Sequence, residues 1–328
     1  MRGGWKHSWR SALLKLALSL SLVAVFLSAV DTSAVLASLV AVDPVIMAAA
    51  VGLCFSQTLF VGFRWHALGH RTGGFVGRWQ AMRITFAAMF ANQLMPTSIG
   101  GDLVRIGMLR RLGVPAGRGA RTVVLDRTAG LLSLLTLMSV TGIVLGEQLS
   151  TDWRVDFIRA LPVLAIALIF AALFAGDRFA DMVEKRLKFS WFSQLLRDSS
   201  QLMRSGVTTG AILSLSYAVH LASATCIWIL ARGSGVEIGF VQVLGFLPIV
   251  ILVQLVPVSI AGWGVREGTV ITLFALLGIG SAAALAISIL WGVAIAAGAL
   301  LAGATWVLTR SAGERLLEQS KSSDQSEA

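Results

Sequence analysis

The sequence predicts an all-α polytopic membrane protein with about six full crossings and two Pro/Gly-broken re-entrant segments related as an inverted repeat. Three observations predict this. Of 328 residues, 56% are hydrophobic and 13% charged, yet the formal net charge is +10; soluble domains carry about 25% charged residues. Apolar runs recur along the chain at close to the ~20 residues a spanning helix needs. Finally, QLMPTSIGGDLVR at 93–105 returns as QLVPVSIAGWGVR at 254–266, identical at eight of thirteen positions without gaps. Such a composition excludes a soluble enzyme, a disordered chain and a disulfide scaffold.

The apolar runs place crossings near 14–30, 44–63, 128–146, 157–175, 207–230 and 283–308. The first follows Arg2, Lys6 and Arg10, so a cleaved signal peptide is its alternative reading. With the N-terminus in the cytoplasm and each run crossing once, the inner segments hold 23 of the 27 Lys and Arg residues. The outer segments carry Asp31, Asp43, Glu147, Asp152, Asp156 and Glu237. This is the positive-inside asymmetry of multi-pass proteins. Trp5, Trp9, Trp65, Trp79, Trp153, Trp191 and Trp306 fall near the membrane edges so assigned, where an indole has one end apolar and the other wet.

The chain reads as a single transmembrane domain over 1–328. Residues 1–175 form a first half containing broken segment 84–104, and 207–310 a second half containing broken segment 239–280. Between them, 176–206 mixes Phe, Leu and Trp with Arg and Lys, as in a cytoplasmic amphipathic connector. Residues 311–328 are a polar cytoplasmic tail. Cys54 and Cys226 sit in apolar stretches away from any His/Cys cluster, which suits small buried side chains. The Gly/Ala/Ser-rich stretch 281–304 suits close helix packing.

Each copy of the repeat is a poor helix. Pro96 and Pro257 remove a backbone donor, while Gly100, Gly101, Gly262 and Gly264 let the backbone turn or unwind. Irregular backbone at membrane depth survives only where protein or a water-filled cavity covers it. Arg83 and Arg105 bracket copy one on the inner side, so 84–104 is expected to enter from the cytoplasm and return. Copy two lies between an outward and an inward crossing, so it enters from outside. Inverted repeats with corresponding broken segments point to a transporter whose site lies where the two copies meet.

Asp102, Arg105, Asp126, Arg127, Arg266 and Glu267 lie in or beside these segments. A charge at the bilayer centre costs roughly 2.5–3.5 kcal/mol on insertion scales, so pairing or a wet cavity is required. Sequence proximity pairs Asp102 with Arg105, Asp126 with Arg127, and Arg266 with Glu267. The forked guanidiniums of Arg105, Arg127 and Arg266 match a phosphate, and Asn92, Gln93 and Gln254 add neutral hydrogen bonds to a lipid head group. The carboxylates are candidates for ion pairing or proton coupling. His220, the only histidine inside a crossing, reads as a neutral ring bonded to a backbone carbonyl.

Three motifs in order, NQLMPTSIGGDLVR at 92–105, VVLDRTAGLLSLL at 123–135 and VPVSIAGWGVREG at 256–268, resemble the lysylphosphatidylglycerol synthase transmembrane-region family, also called flippase-like or UPF0104-type membrane proteins. The resemblance suits a place in the bacterial inner (cytoplasmic) membrane, and the Lys and Arg distribution puts both termini in the cytoplasm. Synthases of that family carry a large cytosolic domain after the membrane region, whereas about twenty residues follow the last crossing here. The implied activity is therefore translocation of a phospholipid, glycolipid or polyprenyl-phosphate-linked lipid, without a cofactor or resident metal, and not synthesis. Replacing Arg105 or Arg266 is then expected to abolish transport without unfolding.

Two alternatives remain open. A polyprenyl-phosphate-dependent glycosyltransferase would place paired acidic residues in an early outer loop, but only Asp31 and Asp43 occur there and no DxD or ExD is present. A structural subunit of a lipid or glycan-lipid synthesis complex would have partner proteins instead. No GxxxxGK[ST] motif is present, which excludes an ATP-driven pump acting alone. The basic residues edge a membrane in separate loops, so anionic lipids, and not nucleic acid, are the expected partners; the oligomeric state is open.

Overall fold

The fold was analysed in a computed structural model of the full chain. It describes residues 17, 21, 24–26, 28, 30–73, 77–95, 99–144, 153–174, 176–187, 190–255, 259 and 261–326, without side-chain detail at 153–159, 161, 172–174, 187 and 310–326. Most of the crossing expected at 14–30, the prolines Pro96 and Pro257, and the side chains of the polar tail lie outside the described residues.

Among the described residues every regular element is helical: α1 (Thr32–Ala41), α2 (Pro44–Thr72), α3 (Arg78–Leu94), α4 (Gly100–Arg111), α5 (Ala116–Val144), α6 (Trp153–Phe174), α7 (Gly176–Leu187), α8 (Ser190–Arg204), α9 (Gly206–Gly233), α10 (Phe240–Gln254), α11 (Val265–Ala275) and α12 (Ser281–Ser326). Four are long and apolar enough to cross a membrane: α2, α5, α9 and residues Ser281–Thr309 of α12. A fifth candidate, Pro162–Ala171, continues across a 70° bend into Gly176–Arg186. The chain is thus multi-pass. The spans α2 and α5 are longer than the apolar runs suggest, because Arg64 and Arg118–Arg127 are helical. Segment 176–206 forms two helices, α7 and α8, packed against each other.

Helix starts follow local chemistry. The Asp31 carboxylate accepts from the backbone N–H of Ser33 at 2.9 Å and opens α1. Asp43 accepts from the Val45 N–H at 2.7 Å and, with Pro44 at the first position, opens α2.

Both broken segments fold as helix, break, helix. α4 returns antiparallel along α3: the Gly101 N–H donates to Asn92 Oδ1 at 2.7 Å near the tip, while Ile84 and Leu109 pack near the base. α11 returns along α10 in the same way, with Val250 and Val270 in one apolar cluster. The copies differ in where the second helix starts. Gly262 (φ 81°) and Gly264 (φ 87°) are left-handed, so they unwind copy two as expected and delay α11 to Val265. Gly100 and Gly101 do not unwind copy one, because both lie in the first turn of α4. They are small for a different reason: a Cβ on Gly101 would stand 2.5 Å from the Ala88 carbonyl oxygen.

Packing partners repeat along the chain. α2 packs on α3 as α9 does on α10, α4 on α5 as α11 does on α12, and α3 on α12 as α10 does on α5. The offset that carries Gln93 onto Gln254, 161 residues, also carries 44–72 onto 205–233, within one residue of α9. α2 and α9 pack on one another and run antiparallel. Cys54 meets Cys226 with sulfurs 3.7 Å apart, the Ser223 hydroxyl donates to Gln57 Oε1 at 3.1 Å, and the Arg71 guanidinium donates to Thr208 at 3.1 Å. The hairpin α3–α4 follows the C-terminal end of α2, and the hairpin α10–α11 follows the C-terminal end of α9, beside the start of α2. They enter from opposite ends.

Small residues on α12 allow its close approach. A Cβ on Gly298 would lie 3.0 Å from the Cys54 Cβ, whereas one on Gly52 meets nothing within 4 Å. Gly298→Leu is therefore expected to destabilise the fold by about 1–3 kcal/mol, and Gly52→Ala to be near neutral, read from thermal unfolding of the detergent-purified protein.

Candidate lipid head-group site

The tips of the two hairpins meet around a cavity of about 390 Å³. Asn92 and Gln93 from the first tip, Gln254 and Gly262 from the second, Gln57 of α2 and Arg127 of α5 line it. It adjoins a second cavity of about 670 Å³, lined by Arg64, Asp102, Asp126 and Arg127 among mostly apolar side chains. Arg127 and His220 face both. Gln57 and His220 lie near the middles of α2 and α9, so the cavity sits at mid-height of the antiparallel pair. The side-chain amide of Gln57 is buried, and its nitrogen has no partner.

The charged residues pair differently from the expectation based on proximity. The Arg64 Nε donates to Asp126 at 2.7 Å, and Arg105 Nη1 donates to the other oxygen of the same carboxylate at 3.0 Å. Arg127, the next residue in α5, donates through Nη2 to Asp102 of α4 at 2.8 Å. Asp102 and Arg105 are three residues apart in α4, and Asp126 and Arg127 are adjacent in α5. Each therefore reaches across the α4–α5 interface rather than along its own helix. Only Arg266 and Glu267 pair as proximity suggests, at 2.6 Å.

That last pair is fully enclosed. Arg266 is 1% exposed, its guanidinium lies 4.6 Å from the Trp263 ring centroid and 5.7 Å from that of Trp291, and Ser288 donates to the same Glu267 oxygen at 3.2 Å. The second Glu267 oxygen accepts the Gly264 N–H at 2.5 Å. Arg105 is 4% exposed and stacks 5.2 Å from the Trp65 centroid. The repeated arginine is thus buried against indole in both copies, and neither Arg105 nor Arg266 lines the two cavities. This corrects the expectation that these guanidiniums present themselves to a phosphate and are dispensable for folding. Trp65 is likewise buried.

Arg127, Asn92, Gln93 and Gln254 are brought together; Asp102, Asp126 and Glu267 serve as ion-pair partners. Of the residues lining the two cavities, two guanidiniums (Arg64, Arg127) meet two carboxylates (Asp102, Asp126), and Arg105, which lines neither, adds a second cation on Asp126. His220 is held as expected, with Nε2 3.1 Å from the Gly130 carbonyl.

With this geometry in hand, comparison of the sequence is decisive. The profile of the lysylphosphatidylglycerol synthase TM region family matches residues 12–303. The chain belongs to that family. A UPF0104 membrane protein of Archaeoglobus fulgidus is 30% identical over 125 residues, a match spanning 37% of each chain. Another from Methanothermobacter thermautotrophicus is 23% identical over 236 residues, spanning 63% of this chain and 67% of its own.

Sequence reasoning missed Arg64 and Gln57. Arg64 follows an apolar run and reads as the first inner-loop charge, yet it lies in an unbroken helix eight residues before the end of α2. An arginine one residue from a tryptophan in a stretch without turn signals was the available clue.

Removing one partner of a buried pair costs about 3–5 kcal/mol. Asp126→Asn strands two arginines and is expected to lower stability by that order. Asp102→Asn removes one partner of Arg127, whose side chain is 46% exposed, and is expected to cost about 1 kcal/mol or less. Thermal unfolding of the two variants side by side checks the difference.

Proposed function

We propose that this family member is a transporter, not an enzyme, which moves a lipid with a phosphate-bearing head group between leaflets by alternating access around two inverted hairpins. The observation that carries the reading is the cavity between the hairpin tips, lined by side-chain amides and Arg127. Arg127, the charged side chain among the lining residues of this cavity, suits an anion, and the amides can follow the polar part of a phospholipid, glycolipid or polyprenyl-phosphate lipid. The adjoining cavity is mostly apolar, which suits the acyl or prenyl end.

Antiparallel α2 and α9 with matching neighbours support an inverted repeat, with a pseudo-two-fold axis in the membrane plane. Each hairpin is too short to span on its own and is read as re-entrant. The end at which α2 finishes carries Arg71, Arg78, Arg110, Arg111, Arg118 and Arg121 and is assigned to the cytoplasm. On this reading the protein sits in the inner membrane with both termini inside, and anionic lipids lie at its basic face. Lipid-biosynthesis proteins are its natural partners.

The reading is tested with purified protein in phosphatidylcholine vesicles, using labelled phosphatidylglycerol, a labelled glycolipid and a labelled polyprenyl phosphate, with external quenching as readout. At least one probe is expected to cross faster with protein than without. A charge-assisted hydrogen bond contributes about 1.5–3 kcal/mol, so Arg127→Gln is expected to slow transfer about tenfold or more while leaving thermal stability within about 1 kcal/mol. Transfer of every probe at the protein-free rate, or an unimpaired Arg127→Gln variant, would contradict the proposal.

A further inference from the structure

A third cavity, of about 380 Å³, lies well away from the hairpin tips and shares no lining residue with the central pair. It opens where the start of α3, the end of α4 and the end of the apolar part of α12 come together. Gln80, Arg83, Arg111 and Trp306 line it, with Ile84 and Met108 on its apolar side.

The arginines here differ from Arg118, Arg121 and Arg197 at the same end of the molecule. Arg118 donates to the Gly73 carbonyl at 3.0 Å, Arg121 to Asp198 at 2.7 Å, and Arg197 to Asp181 and Glu184. Neither Arg83 nor Arg111 forms an ion pair with a described residue. Arg83 is only partly exposed, and its Nε is buried without any hydrogen-bond partner. A buried donor left unmade costs about 1–3 kcal/mol, more on a charged group. Two guanidiniums facing one cavity also repel each other until an anion enters.

We infer that this cavity is a second anion site, which holds a phosphate group between Arg83 and Arg111. Forked guanidinium donors match phosphate oxygens, and Gln80 offers its amide N–H₂, because its Oε1 already accepts from Gly77 at 3.2 Å. Arg83 lies five residues into α3, roughly 7 Å along its axis at ~1.5 Å per residue, close to the helix end that the topology above assigns to the cytoplasmic face. Trp306 and the apolar wall suit a glycerol backbone and the first acyl carbons. The same phosphate chemistry belongs to an inner-leaflet phospholipid and to a soluble phosphate ester. Occupancy would tie α3 and α4 to α12 at the base of the first hairpin.

The test uses the full chain in detergent, examined by native mass spectrometry with added phosphatidylglycerol or phosphatidylcholine, and by titration with glycerol phosphate. Wild type is expected to retain one more phosphatidylglycerol than the R83Q/R111Q double variant, or to bind glycerol phosphate at least tenfold more tightly than it; phosphatidylcholine retention is the same in both. Retention of the lipid alone assigns a lipid source, and equal competition by glycerol phosphate assigns a soluble one. Arg111→Gln alone, at an exposed position, gives the same direction if Arg83→Gln impairs folding. The adduct persists in Arg127→Gln, so this inference stands or falls apart from the transport reading. Identical adducts and affinities in wild type, R111Q and the double variant would overturn it.

Discussion

Asp126 is the point on which the first half of the molecule turns. Its two oxygens hold Arg64 of α2 and Arg105 of α4, so one carboxylate of α5 joins three helices. A charge among apolar helices is tolerated only when paired and hydrogen-bonded, and these pairs accordingly dictate where α4 can lie. Arg266 and Glu267 do the same work in the second half, locking the start of α11 against Ser288 of α12. The carboxylate differs in origin between halves, but in both the repeated arginine is stacked on indole and closed from solvent.

With the second helix of each hairpin clamped near the break, the tips inherit a defined position. Breaks in the backbone leave amide groups to be satisfied, and side-chain amides supply part of the answer: Asn92 accepts from Gly101, and Gln254 donates to the Val250 carbonyl at 3.2 Å. Gln57, Gln93 and Arg127 then face the space left between the tips. Structural charge is buried behind this site and exchangeable charge faces it. This division explains why the most recurrent arginines are not those best placed to meet a ligand.

Much of this was legible in the sequence. Runs of apolar residues located α2, α5, α9 and α12, and the shared Gln, Pro, Ser and Arg at 93–105 and 254–266 located both hairpins. Asn92, Gln93, Arg127 and Gln254 were already candidates for one site. What sequence could not supply was pairing across helices. Asp126 sits beside Arg127 in the chain, but adjacent residues point about 100° apart around a helix of 3.6 residues per turn, and Asp126 and Asp102 each find their partners on neighbouring helices. Arg64 was concealed by the habit of ending a span at its first charge, and Gly101 by the assumption that a glycine near a break must unwind it.

Access from both faces tests the central claim most directly. On a background with Cys54 and Cys226 replaced by Ala, Gln93→Cys and Gln254→Cys are labelled with a membrane-impermeant maleimide in right-side-out and inverted vesicles. Alternating access around the two hairpin tips predicts that each position labels from both faces. If each cysteine labels only from the face by which its own hairpin enters, the two hairpins form separate static pockets, and the account of a shared transport site is contradicted.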